Sequence, residues 1–264
     1  MLDGEMGRAK QIAMRILTTM ASVYGAEHLL DITSAHIDGV LYHGLSGLEF
    51  VKKLTEADGE VVVPTTLNVG ALDLMHPEAF QGTAQVAEWA RETMLLYEKL
   101  GCQPIYTCTP YQTAARPAFG EQIAWAESNA IVFANSVLGA RTQRYGDFID
   151  ICCALTGRAP AAGLHLTENR RGQILYSLRD IPAQLLREDV LFPVLGYLIG
   201  SRSGNDIPVI DGLLPETTED QLKALGAATA SSGAVGLFHA IGITPEAKTF
   251  DEAFQGGQPI QEVD

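Results

Sequence analysis

The chain has 264 residues, of which 47% are hydrophobic and 19% charged, the composition of a folded globular protein. Its formal net charge of −14, from 18 basic and 32 acidic residues with no basic patch, argues against nucleic acid as a partner. No apolar run reaches the ~18 residues of a membrane span, and Met1-Leu2-Asp3-Gly4-Glu5 lacks the basic and then apolar pattern of a secretory signal, so a cytoplasmic location is expected.

Apolar residues from Ala9 to Leu17, then Met20 and Val23, recur at helical spacing, and Gly25 marks a helix stop. Leu29 to Ile32 reads as a strand leading into the polar loop Thr33-Ser34-Ala35-His36-Ile37-Asp38-Gly39. Ser46, with Glu49 three residues on, predicts a capping box for a helix over Gly47 to Leu54. Val61 to Val63 reads as a buried strand ending in Pro64-Thr65-Thr66-Leu67-Asn68. Thr83 to Leu100 carries an apolar stripe (Val86, Trp89, Ala90, Met94, Tyr97) and predicts an amphipathic helix stopped by Gly101. Pro104 to Thr107 is expected to be the next strand, with Cys108 in the loop after it.

Glu121 to Glu127 reads as a helical turn and Ala130 to Ala134 as a strand, followed by Asn135-Ser136-Val137-Leu138-Gly139-Ala140-Arg141. A helix over Asp147 to Leu155 ends at Gly157. Beyond it come a strand from Gln173 to Leu178, a helix over Val190 to Ile199 weakened by Pro193 and Gly196, and a strand from Ile207 to Ile210. Thr217 or Thr218 caps a helix to Leu225, and a small-residue loop from Ser231 enters a strand near His239. Thr244-Pro245-Glu246-Ala247 starts a further helix. No final element is evident after Gly256, which suggests an interrupted chain. The alternation predicts an α/β fold with largely parallel sheets, organised as two α/β subdomains that meet near residues 157–172.

Strand ends are where open α/β sheets place ligands. The groups expected there are Ser34, His36, Thr65, Thr66, Asn68, Cys108, Asn135, Ser136 and Arg141. His36 is a candidate proton carrier, because imidazole titrates near neutrality, and Glu127 beside Ser128 and Asn129 is a candidate acid or base. Arg141, Arg144, Arg170 and Arg171 are the anion-binding candidates, Arg141 foremost for its place after a strand end. His43, His76 and His239 read as structural. Of the four cysteines, Cys152 and Cys153 fall in an apolar helix and Cys102 follows a helix stop, so these three read as packing groups. No CxxC pair is present. Cys108 can be a soft metal ligand, a nucleophile paired with His36 or His165, or inert.

Ser34-Ala35-His36-Ile37-Asp38-Gly39, Val63 to Asn68 and Thr107-Cys108-Thr109-Pro110-Tyr111 together resemble the aconitase X family, in its large, iron–sulfur-bearing part. Gly120 to Ser128, Ala134 to Thr142, Gly163 to Leu166 and Glu168 to Arg171 extend the likeness over most of the chain. The resemblance implies an aconitase-like α/β core and a hydro-lyase that removes water from a small hydroxy acid with an iron–sulfur cluster, 2Fe–2S or related. Known family activities are the dehydration of cis-3-hydroxy-L-proline and of mevalonate 5-phosphate. Gln143-Arg144-Tyr145-Gly146-Asp147-Phe148 is closer to the hydroxyproline enzymes, whose product is Δ1-pyrroline-2-carboxylate. Cys108 matches the first cluster-ligand position. The family's other cluster cysteines fall beyond this sequence, as does a small swivelling domain or subunit. The expected partners are therefore the rest of the large part and that small domain, and the chain alone is expected to be inactive. The alternatives are mevalonate 5-phosphate dehydration, a truncated ligand-binding or scaffold subunit, and a cysteine-nucleophile hydrolase.

Overall fold

The structure, a computed structural model, describes residues 1–263. In chain order its main elements are α1 Arg8–Val23, β1 Leu29–Asp31, β2 Ala35–Ile37, α2 Leu45–Glu56, β3 Thr65–Leu67, α3 Ala84–Lys99, β4 Ala124–Trp125 and α4 Ser128–Phe133. A π-helical turn over Ala134–Leu138 continues α4. There follow α5 Ile149–Thr156, β5 Arg158–Pro160, β6 Ile174–Ser177, α6 Leu191–Ser203, β7 Pro208–Asp211, α7 Glu219–Ser232, β8 His239–Ala240, α8 Phe250–Phe254 and β9 Gln261–Val263.

The chain divides into two compact units. The first comprises Met1–Arg116, Gln122–Glu127 and Tyr145–Ala162. Its sheet has the order β3-β2-β4, all parallel, with His36 of β2 in register with Thr66 and Trp125. Residues 103–107 run irregularly beside β3: Gln103 N–H donates to the Thr65 carbonyl and Thr107 N–H to that of Leu67. Helices α1, α2, α3 and α5 close a core that includes Leu17, Val51, Leu54, Met94, Ile151, Cys152 and Cys153. β1 and β5 form a separate antiparallel ribbon.

The second unit comprises Pro117–Glu121, Ser128–Arg144 and the residues from Gly163 onward. Its sheet, β8-β7-β6-β9, is again all parallel. Thr218 caps α7 with a reciprocal capping box to Gln221. Helices α6 and α7 approach closely at glycines: a Cβ on Gly196 would lie 2.3 Å from the Leu225 carbonyl oxygen. The α/β class with parallel sheets is as expected.

Several local expectations fail for physical reasons. Val61–Val63 forms no ladder; the strand is displaced to Thr65–Leu67, which has β2 on one side and residues 103–107 on the other. The 104–107 stretch stays irregular, with Tyr106 at φ 43°. Gln122–Glu127 supplies β4 rather than a helical turn, and Ala130–Ala134 lies in helix rather than strand. The latter run is buried on every side, so its apolar pattern carries no period to separate the two. Gly44, not Ser46, is the N-cap of α2. β9 follows Gly256, where no element was expected.

Candidate active site

Three parallel strands of the first unit deliver three polar side chains to one place. Asp38 follows the last residue of β2, Asn68 follows the last residue of β3, and Glu127 lies two residues past β4. The Asn68 Nδ2 group donates to Asp38 Oδ1 at 2.5 Å and to Glu127 Oε2 at 2.8 Å. Two carboxylates on one amide nitrogen fix which side of the amide is NH2, leaving Asn68 Oδ1 buried without a partner. Glu127 adopts φ 71°, a left-handed conformation that a non-glycine residue holds at a cost of about 1–3 kcal/mol and that clusters at functional sites.

Asp38 is braced from below. Its N–H donates to Asp150 Oδ2 at 2.9 Å, and Asp150 Oδ1 accepts from the Ile151 N–H at 2.7 Å. Asp150 projects from α5 and is fully buried; burial pushes its carboxyl up to about 7 against the lowering pull of the two N–H groups.

His36 is completely buried at the centre of β2 rather than in a loop. Its Nδ1 lies 2.8 Å from Thr66 Oγ1, its ring is tilted against Trp125, and its Nε2 has no partner. Burial pushes its pKa down to about 3, so the ring is neutral at physiological pH. Thr65 Oγ1 is committed to the Val63 carbonyl, and the Ser34 carbonyl accepts the Ala124 N–H. Cys108 follows Thr107 directly, in a half-buried turn held by the Thr107 and Thr109 hydroxyls. The other three cysteines are buried in the core, their thiols pushed up by desolvation.

The remaining expected residues, Asn135, Ser136 and Arg141, sit in a hydrogen-bonded network of the second unit. Asn135 donates to the Thr142 and Gly236 carbonyls and accepts from the Thr142 N–H and Arg170. Ser136 Oγ accepts the Phe238 N–H. Arg170, buried, forms a short two-pronged ion pair with Glu246. Arg141 reaches the same Glu246 at 3.4 Å, with its second terminal nitrogen unpartnered.

The structure therefore brings His36, Thr66, Asn68 and Glu127 together in the first unit. It adds Asp38 and Asp150, which sequence reasoning passed over. Asp38 lay in the loop read over Thr33 to Gly39, and only the structure shows that it follows a strand; Asp150, a lone acid inside an apolar helix, carried a signal in the sequence.

Residues 1–168 match the family described as aconitase X first domain, and residues 172–264 the aconitase X second domain. The chain is 46% identical over 260 residues to a cis-3-hydroxy-L-proline dehydratase of Pseudomonas aeruginosa, covering 98% of this chain and 44% of that protein. It is 42% identical over 247 residues to a phosphomevalonate dehydratase large subunit of Thermococcus kodakarensis, covering 93% of this chain and 60% of that one. The crystal structure of Thermococcus kodakaraensis aconitase X in its holo form matches with a TM-score of 0.87 at 39% identity, over 99% of this chain and 64% of that one. The chain thus spans about half the length of the curated relatives it matches.

Proposed function

The chain belongs to the aconitase X family, and from that premise we propose that it is part of a hydro-lyase that dehydrates cis-3-hydroxy-L-proline to Δ1-pyrroline-2-carboxylate. The observation that carries the chemistry is the Asn68 bridge between Asp38 and Glu127 at the ends of three parallel strands. The reaction removes the C2 proton and the C3 hydroxyl as water, and the enamine formed tautomerises to the cyclic imine. In this reading Glu127 accepts the C2 proton, positioned by Asn68 and by its own constrained backbone. His36 is the second candidate proton carrier, through its unpartnered Nε2. Ser34 and Thr66 are assigned to substrate hydroxyl contacts; Thr65 is committed to the Val63 carbonyl, and Asn135, Ser136 and Arg141 to partners within the second unit, so none of these four is assigned to substrate.

Cys108 is the chain's candidate cluster ligand. Among the described residues no group of three His, Cys, Asp or Glu is placed to hold a metal, and the other cysteines are core thiols. The described residues do not complete an iron–sulfur ligand set. We assign the remaining ligands, and a small swivelling domain or subunit, to the part of the relatives' length outside the match. No helix of the described residues is long and apolar enough to cross a membrane, and a cytoplasmic setting suits its free thiols.

A second reading, dehydration of mevalonate 5-phosphate, is favoured by the 42% identity to the phosphomevalonate enzyme's large subunit. Assay of the full-length protein, prepared anaerobically with any partner subunit, separates the two. Imine formation from cis-3-hydroxy-L-proline, abolished in Glu127→Gln, supports the first; turnover of mevalonate 5-phosphate alone overturns it.

A further inference from the structure

The second unit contains an open cavity of about 590 Å³ that holds none of the residues assigned to the dehydration chemistry. Its size falls in the range of small-molecule sites. Its walls include Arg144, Gln143, Asn169, Gln173 and Asp206. Two glycines of the wall face its side chains: Gly163 lies against the end of Gln143, and Gly236 lies against Leu164 Cδ1 and the Arg144 stem.

The polar groups of this wall are mostly committed to each other. Gln143 Oε1 accepts the Leu164 N–H, Asn169 Nδ2 donates to the Gly163 carbonyl, and Gln173 links Asp206 Oδ1 to the Ile207 N–H. Arg144 differs. Its guanidinium donates to two neutral oxygens, the Gly233 carbonyl at 3.0 Å and Ser128 Oγ at 3.3 Å, and takes no carboxylate partner among the described residues. Asp206 shares the cavity but is tied to Gln173. A half-buried guanidinium held in place by neutral acceptors, with its charge uncompensated, is pre-oriented for an anion, and its planar fork matches a carboxylate. Arg141, three residues earlier, is compensated by Glu246 instead.

We infer that Arg144 is the guanidinium of a carboxylate-binding site in this cavity, taking a small organic acid through a charge-assisted, forked contact. The inference rests on the proposed hydroxyproline chemistry only for the choice of ligand. The test is calorimetric titration of the full-length protein with L-proline, an unreactive carboxylate, and with L-prolinamide, its neutral counterpart. The wild type is expected to bind L-proline, and prolinamide about 10–100-fold more weakly, the loss of a hydrogen bond to a charged group. Arg144→Gln should erase that discrimination. Equal L-proline affinity in Arg144→Gln and wild type overturns the inference.

Phenylglyoxal modification of the wild-type protein, mapped by mass spectrometry, answers without any variant. L-Proline should shield Arg144 and prolinamide should not; absence of shielding overturns the assignment. Turnover distinguishes the two proposals. A protein that fails to dehydrate cis-3-hydroxy-L-proline yet loses L-proline binding in Arg144→Gln refutes the proposed function and keeps this site. One that dehydrates cis-3-hydroxy-L-proline yet binds L-proline equally well as wild type and as Arg144→Gln does the reverse.

Discussion

Asn68 Nδ2 stands 2.8 Å from Glu127 Oε2 across 59 residues of sequence, and the same nitrogen holds Asp38 Oδ1 across 30. One amide thus sets the separation of two carboxylates at the ends of three strands. Asn68→Ala removes the spacer and leaves two acids facing each other. We expect kcat of the full-length enzyme to fall by roughly 10²–10⁴, the scale of a positioned acid–base group, with a smaller loss of thermal stability. Asn68→Asp, which adds a third carboxylate, should be worse in both readouts. Kinetics and thermal melts of the two variants decide it, and near-wild-type turnover in Asn68→Ala would remove Asn68 from the site.

Asp150 makes a pH prediction whose sign is the reverse of the usual acid. Its folded pKa is raised from 3.8 to about 7, chiefly by burial, so the native state holds this proton more tightly than the unfolded chain does. Its contribution to stability is therefore full below pH 4 and is lost as pH rises to 7. The charged and titratable groups around it are Asp38, Asp147, Tyr97, Cys102, Cys152 and Cys153. Asp150→Asn cannot ionise. Its stability relative to wild type should improve between pH 5 and pH 8, by on the order of a few kcal/mol. Urea unfolding at the two pH values measures this; an unchanged difference would show that Asp150 does not titrate there.

The sequence made much of this legible where local chemistry decides. Thr218 caps the helix expected of it, the helix read over Thr83 to Leu100 runs from Ala84 to Lys99, and the β6 and β7 runs were found within a residue or two. It failed where pairing decides. Val61–Val63 has the better β composition, yet Thr65–Leu67 forms the strand because ladder partners exist only there. The site divides in the same way. His36, Asn68 and Glu127 could be named from residue type and position, but their convergence depends on parallel register between segments 30 and 59 residues apart. Arg141 and Arg144 are equivalent by composition; only the fold shows that Glu246, 105 residues after Arg141, compensates one of them.

Glycine at 196 is a packing requirement of the second unit. A Cβ there would lie 2.3 Å from the Leu225 carbonyl oxygen and 2.9 Å from Ala228 Cβ. Backbone cannot move aside as a flexible side chain can, so Gly196→Ala must push α6 from α7. The gain in helix propensity, about 1 kcal/mol, is smaller than an overpacking cost of about 1–3 kcal/mol or more. A lowered denaturation midpoint is expected, and a raised one would show that the helices are not in this close contact.

The Arg170–Glu246 pair gives the largest expected single-site loss. Arg170 is 1% exposed and Glu246 15%, and the guanidinium also braces the Asn135 side chain, the Asn135 carbonyl and the Leu164 carbonyl. Glu246→Gln keeps the shape but removes the counter-charge from a buried cation that already has the unpartnered nitrogen of Arg141 beside it. Breaking one side of a buried pair costs about 3–5 kcal/mol. Arg170→Met in the wild-type background leaves Glu246 with Arg141 as its cation and should cost less than Glu246→Gln does. The double variant should lie below the sum of the two single losses, because the second change removes the charge that the first left unpaired. Chemical denaturation of the four proteins closes the cycle, and simple additivity would mean that the two residues stabilise the unit independently.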